Sequence, residues 1–402
     1  MPSVTRRHLL SGVVATAGTY GTYRLHRGRA SATFDAWTPE SGTWPLRRYD
    51  PEGTAHNPNA EPPRHPPTVS AVGSVPEPTR RPRLAPLVGP DHVVVAGTDA
   101  AAFRDGSGGE AVSVGPATLA GFGPDGRLHT VRPAPEPAVV DHSAGTLRER
   151  ARVPLGVKGG GSDPTGLVVG AGEVYVGVAN GTLRAVAGGG RGWRVDGSLP
   201  VLAGGRLYAA DAPLAGTVAY AERPGLGRRL EAGTKRIWDA GPVEGFPHRP
   251  AVTDGRLVVG SYAEDGGAVV ALDADIGDRL WEPRRFGTDV STPAIVGDNG
   301  YTAVARGDGS GRVIALDLAT GETRWRDEVG FGAITAVVGG ETLVVAGERE
   351  RTEDRSAGVV RAYDTETGEV RWTRGVDNAP GGLAVAGERV VVTAGPSVYE
   401  LV

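Results

Sequence analysis

Cysteine is absent from the 402-residue sequence. Its absence excludes disulfide staples, thiolate zinc sites, thiol nucleophiles and a lipid-modified cysteine anchor. Aromatic residues make up only 6%. No apolar run reaches the ~20 residues that a membrane-spanning helix needs. Neither sign of charge dominates: 43 basic against 47 acidic residues leave a net charge of −4. That is not the basic footprint of a nucleic-acid binder, so no nucleic-acid partner is expected. Lysine occurs only as Lys158 and Lys235, so nearly all positive charge is arginine. Past the N-terminal region, no ten-residue stretch carries the 3.6-residue apolar period of a helix.

What the chain has in excess is glycine, 63 residues, with 31 prolines. Glycine supplies the φ > 0 conformations that tight turns require, so this composition suits many short strands. The length exceeds one average domain, but repeat folds commonly run this long as a single unit.

At the N-terminus, Arg6 and Arg7 stand just before Leu9, Leu10 and a weakly apolar stretch reaching about Tyr23. The pattern resembles a twin-arginine export signal. Residues 1–32 are therefore expected to be an export signal or an N-terminal tether, 33–67 a lead-in and 68–402 the folded body. "RASA" (29–32) offers a small-residue cleavage site, while Arg24, Arg27 and Arg29 crowd it from upstream. A cleaved signal and an uncleaved peripheral membrane tether both stay open. Either implies export, to an extracellular or cell-surface location.

The body repeats itself. "VVALDADIGDRLW" ends at Trp281, "VIALDLATGETRW" at Trp325 and "VRAYDTETGEVRW" at Trp372. Each places Ala ten residues, Asp eight and Gly four before Trp: Ala271, Asp273, Gly277; Ala315, Asp317, Gly321; Ala362, Asp364, Gly368. Trp238 lies 43 residues before Trp281, and Trp193 lies 45 before Trp238. Further upstream Trp is lost, but Asp141 with Gly145, and Asp105 with Gly109, keep the separation. Ahead of each motif comes a short apolar run, a Gly-containing turn and a β-branched run, as in "PAVTDGRLVVGSY" (250–262), which reads as a hairpin.

Four short antiparallel strands in about 43 residues are the mark of a β-propeller blade. The fold expected is all-β. Units begin near 84, 117, 165, 199, 250, 292 and 334, and 380–402 holds only three strand-like runs. The lone strand "TVSAVGSV" (68–75) would complete that last unit, which removes exposed edges and couples the two chain ends. This predicts an eight-bladed propeller, with seven blades as the alternative.

Each motif residue has a structural role. The Asp carboxylate can accept backbone N–H groups and hold the turn. Gly supplies the left-handed position. Trp on the outer strand can cover the neighbouring blade and donate its indole N–H to a carbonyl there, with Ala as a small platform nearby. The repeat resembles the tryptophan-docking motif of the PQQ-like β-propeller superfamily, from about residue 44 onward and most strongly over 250–402. "WPLRRYDPEGTAHNP" (44–58) resembles the lead-in of exported members. The superfamily includes quinone-dependent alcohol dehydrogenases and BamB-type scaffold proteins that bind no quinone.

The resemblance implies an architecture; chemistry needs a site. Family dehydrogenases use a vicinal Cys pair against the quinone, which this chain lacks. The histidines show no ligand spacing and read as surface or turn residues. "DADIGD" (273–278) lacks the later Glu of a calcium loop. "GVKGGGSDPTG" (156–166) lacks the G-K-[ST] of a phosphate loop, and no G-x-S-x-G elbow occurs. "ERERTEDRSAG" (348–358) and "TRRPR" (79–83) read as solvated loops. The expectation is an exported, monomeric, non-catalytic scaffold or binding module with no cofactor, no metal and no catalytic residue. Its partner would be a protein or another envelope component. The alternative is a degenerate quinone-dependent dehydrogenase; an envelope-polymer binder would need exposed aromatics on one face.

Overall fold

Short runs of Val, Leu and Ala, broken every few residues by Gly, Asp or Pro, favour brief strands, and brief strands are what form except for the 18-residue Arg256–Asp273. A computed structural model describes residues 34–75, 85–104, 112–157, 162–187, 190–211, 216–222, 234–241, 245–349 and 358–402. The export-signal region, "TRRPR" and most of the 348–358 extension lie outside them. The described residues are all-β and contain no helix long and apolar enough to cross a membrane.

Antiparallel four-stranded sheets follow one another along the chain. The first four run through 86–117, 119–154, 164–196 and 199–240. The next two, 246–290 and 294–329, are joined into one eight-stranded sheet through the pairs Asp289↔Ala305 and Val290↔Val304. Strands Gly332–Gly339, Thr342–Glu348, Gly358–Asp364 and Val370–Val376 make the following sheet.

The last sheet is built from both ends of the chain. Pro380–Ala386, Arg389–Ala394 and Ser397–Leu401 are joined by Val69–Ser74, with Val69 opposite Leu401 and Ser74 opposite Ser397. Thr68 and Val402 exchange backbone hydrogen bonds of 2.7 and 3.2 Å at its end.

The first strand of each sheet neighbours that of the next in chain order, from Pro86–Val88 to Pro380–Ala386. Pro380–Ala386 in turn neighbours Pro86–Val88. The fold is a β-propeller, in which sheets bury their faces against one another around an axis. One contiguous core runs from Trp44 through the 294–376 sheets to Leu401, so residues near both ends share buried contacts.

Candidate functional site

Two sets of side chains recur at special places: those at the seams between sheets and those on the axis.

At the seams, Asp317 Oδ1 accepts the N–H groups of Ala319 (2.9 Å) and Thr320 (3.2 Å), and Gly321 N–H donates to Asp317 O at 2.7 Å. Asp273 and Asp364 make the same bonds, with Asp275 and Ile276, and with Glu366 and Thr367. Arg324 and Arg371 reach the second carboxylate oxygens of Asp317 and Asp364 at 2.7 and 2.6 Å. The Thr367 N–H, seconded by Arg371, pulls the Asp364 carboxyl down to about 2. The hydrogen bond from Arg324 lowers that of Asp317.

Each indole then crosses to the next sheet. Trp238 Nε1 donates to Ala274 O (3.0 Å), Trp281 to Leu318 O (3.0 Å) and Trp325 to Thr365 O (3.1 Å). The acceptor is every time the residue after the turn aspartate. The surface beneath the ring is the turn glycine. A Cβ placed on Gly277, Gly321 or Gly368 would fall 2.8, 2.7 or 2.6 Å from Cδ2 of Trp238, Trp281 or Trp325. These glycines have φ of +82°, +70° and +74°.

Two of the motif alanines lie directly across from their tryptophans. Ala315 and Ala362 are the cross-strand partners of Trp325 and Trp372, and Ala271 O accepts Leu280 N–H. The surface in contact with the ring is the glycine of the following sheet. Trp193 lies on the strand Gly190–Asp196, with its side chain outside the described residues.

Upstream the motif register differs from the sequence reading. Ser143 N–H bonds to Arg148 O and Leu147 N–H to Ser143 O, just as Asp273 N–H bonds to Asp278 O and Gly277 N–H to Asp273 O. The turn therefore pivots on Ser143 and Leu147, two residues beyond Asp141 and Gly145. Leu147 takes the left-handed conformation (φ +50°) and carries the side chain that the turn glycines lack. No tryptophan precedes it: the preceding sheet brings Ser113 opposite Ala101. A cavity of about 300 Å³ is left at this seam, lined among others by Phe122, Asp91 and Leu147. His142 is also a correction, since it is 2% exposed and bonded to Thr130 Oγ1 (2.9 Å) and Leu147 O (3.2 Å). A core imidazole, not a surface one, satisfies two buried polar atoms there.

On the axis, the lead-in does not precede the propeller; it threads it. Trp44 exchanges backbone bonds with Val88 (2.7 and 2.9 Å), and Pro45 O accepts Phe122 N–H (2.9 Å). Asp35 O accepts Ala171 N–H, while Trp37 Nε1 donates to Val169 O. Pro51, Glu52, Thr54 and Ala55 carbonyls accept the N–H groups of Leu202, Val252, Ile295 and Val338 at 2.8–2.9 Å. Asn57, fully buried, donates from Nδ2 to Thr43 O (3.1 Å) and Val385 O (3.0 Å). Every sheet along the chain is thus tied to one strap. The strap also ends the seam series, because Pro63 O accepts Trp372 Nε1 at 2.6 Å, where the other indoles meet a turn carbonyl.

The strap carries an ionisable cluster. Arg48 spends its guanidinium on three carbonyls: Nε on Gly53 O (2.7 Å), Nη1 on Thr292 O (3.0 Å) and Nη2 on Pro293 O (2.6 Å). Asp50 accepts Thr54 N–H (2.8 Å) and the Thr54 hydroxyl. Burial pushes Asp50 up to about 6 despite these bonds. Burial, reinforced by Asp50, takes Glu52 to about 7. It lowers Arg48 to about 10 and His56 to about 4. This arrangement was missed in the sequence because it shows no periodicity. The one signal was Asp50 three residues before Gly53, a turn signature.

Among the described residues, no three His, Asp or Glu side chains gather to hold a metal.

A family model described as outer membrane protein assembly factor BamB matches residues 179–331 and 309–401. The outer membrane protein assembly factor BamB of Xanthomonas campestris pv. campestris is 34% identical over 115 residues, 25% of this chain. The match spans 27% of that relative's length. Among solved structures, the computationally designed Ika8 protein superposes with a TM-score of 0.63 at 14% identity, over 82% of this chain and 99% of that one. BamB from Moraxella catarrhalis gives 0.53 at 16% identity over 83% and 97%. A europium-containing methanol dehydrogenase gives 0.55 at 14% identity over 90% and 91%. At these identities the structural likeness is one of fold.

Proposed function

The chain belongs to the BamB-type family of PQQ-like repeat proteins, and we propose that it acts as a non-catalytic scaffold or binding module of the cell envelope. In this reading it is exported by the twin-arginine route, works as a monomer outside the membrane, and holds a protein or other envelope component without a cofactor. Its body is an eight-bladed ring latched where the two chain ends pair.

The observation that carries the reading is where the recurrent residues are spent. Each Trp–Gly pair is committed to a seam and the strap to the axis, so the repeated chemistry holds sheets together. The envelope setting draws on the outer membrane assembly role in the relatives' names and on the paired Arg6 and Arg7.

The test has two arms. Purified protein supplied with quinone, calcium and a dye acceptor should oxidise no alcohol; saturable turnover would replace the scaffold with the quinone-dependent alternative. Replacing both Arg6 and Arg7 with Lys should trap the protein in the cytoplasm, and unchanged export would remove the twin-arginine route.

A further inference from the structure

Among the described residues only two aromatic side chains are exposed, Phe246 (64%) and Tyr262 (36%), and they are direct cross-strand partners. Tyr262 is in turn paired with Asp289. Opposed residues of antiparallel strands share a face of the sheet. Phe246, Tyr262 and Asp289 therefore form one row across the neighbouring strands Phe246–Pro247, Arg256–Asp273 and Arg284–Val290. Two strand spacings make that row about 10 Å long. Gly245 permits the approach: it has φ +81°, and a Cβ there would collide with Tyr262 O. At the other end of the row, His248 Nε2 is bonded to Asp289 Oδ1 at 2.8 Å, and both side chains remain over a third exposed.

The surroundings decide what such a row can hold. The other exposed large apolar side chains, Ile276 and Val370 among them, stand on a turn and a strand elsewhere. A stable protein interface covers about 800 Å² per partner around a contiguous apolar centre, which two rings beside an ionisable pair do not supply. A sugar ring does fit. The C–H face of a pyranose packs against the negative face of an aromatic ring. Its hydroxyls, at the ring edge, both donate and accept, so a carboxylate and an imidazole can meet them.

We propose that this row is a glycan platform, in which Phe246 and Tyr262 each carry one sugar ring of an extended β-1,4-linked chain and the His248–Asp289 pair bonds its hydroxyls. A β-1,4 linkage keeps successive rings flat and in line, as a row across adjacent strands requires. The carboxylate at the end of the row favours a neutral glycan over an anionic one. The proposal rests on the scaffold reading for its setting and names the envelope component that is held.

The experiment titrates the full chain calorimetrically at pH 7, with cellotetraose in one arm and chitotetraose in the other. Saturable binding is expected in at least one arm, and the difference between the arms reads whether an N-acetyl group is recognised. Phe246→Ala and Tyr262→Ala should each weaken it about tenfold, the loss of one stacked ring. Phe246→Trp should retain binding, since an indole is also a flat bed. Phe246 is mostly exposed, so Phe246→Ala should melt with the parent, which separates lost binding from misfolding. No saturable heat in either arm, as expected of a surface that meets a protein instead, overturns the platform, and so does unchanged affinity in Phe246→Ala. Either result leaves the scaffold reading to its own alcohol-oxidation test.

Discussion

The indole of Trp325 rests on the backbone of Gly368 in the following sheet, so close that a Cβ there would fall 2.6 Å from Cδ2. The same glycine has φ +74° to turn the chain. One residue thus meets two demands, left-handed backbone and a flat bed for a ring, and only glycine satisfies both.

Gly368→Ala should therefore cost more than an ordinary left-handed glycine. Gly387 has φ +60° with nothing within 4 Å of its Cβ position, so Gly387→Ala reports backbone strain alone, about 1–2 kcal/mol. Displacing the ring should bring Gly368→Ala to about 2–5 kcal/mol. Urea midpoints decide, and equal losses would refute the bed. Trp325 is half-buried, so Trp325→Ala should cost near the lower end of about 3–5 kcal/mol. It should also absorb part of the Gly368→Ala loss in the double variant.

Glu52 should make stability fall as the solution turns alkaline. Its folded pKa of about 7 stands above the ordinary 4.5, so the protonated form favours folding. That contribution is present below about pH 4.5 and fades as pH rises through 7. Glu52→Gln should remove this slope between pH 5 and 8. Above pH 8 it should stabilise by about 1–2 kcal/mol, allowing for solvent screening at a half-buried site. Thermal unfolding across this range checks it; a variant less stable at pH 8 would contradict the account.

Asn57→Ala strips the strap of its side-chain bonds to Thr43 O and Val385 O. Both carbonyls lose a donor in a dry site, at a cost of about 2–4 kcal/mol. Hydrogen exchange should then quicken at the Val338 and Ile295 amides, which the strap also caps. Loss of stability without faster exchange there would mean the strap does not act as one piece.

The seams were legible because Asp, Gly and Trp are each spent on a demand few residues can meet: capping a turn, reversing a backbone and covering a sheet. What could not be read was the second duty of Gly277, Gly321 and Gly368, since it concerns a ring 39 to 43 positions away in the preceding repeat. Matching letters also misplaced the turn at 143–147. Ser143 Oγ accepts the Arg148 N–H instead of the two amides that a turn aspartate caps, and Leu147 takes φ +50°, while Asp141 and Gly145 fit the spacing by coincidence. The strap escaped because extended backbone bonded to many separate strands needs no apolar period.

The pairing of the chain ends is tested most directly with Ser74→Cys and Ser397→Cys together, two opposed positions in a sequence free of other cysteine. Mild oxidation should yield a monomeric disulfide in nearly all molecules and raise the denaturation midpoint, because the bridge closes almost the whole chain. A pair that stays reduced, or that links only separate molecules, would contradict a propeller latched by its two ends.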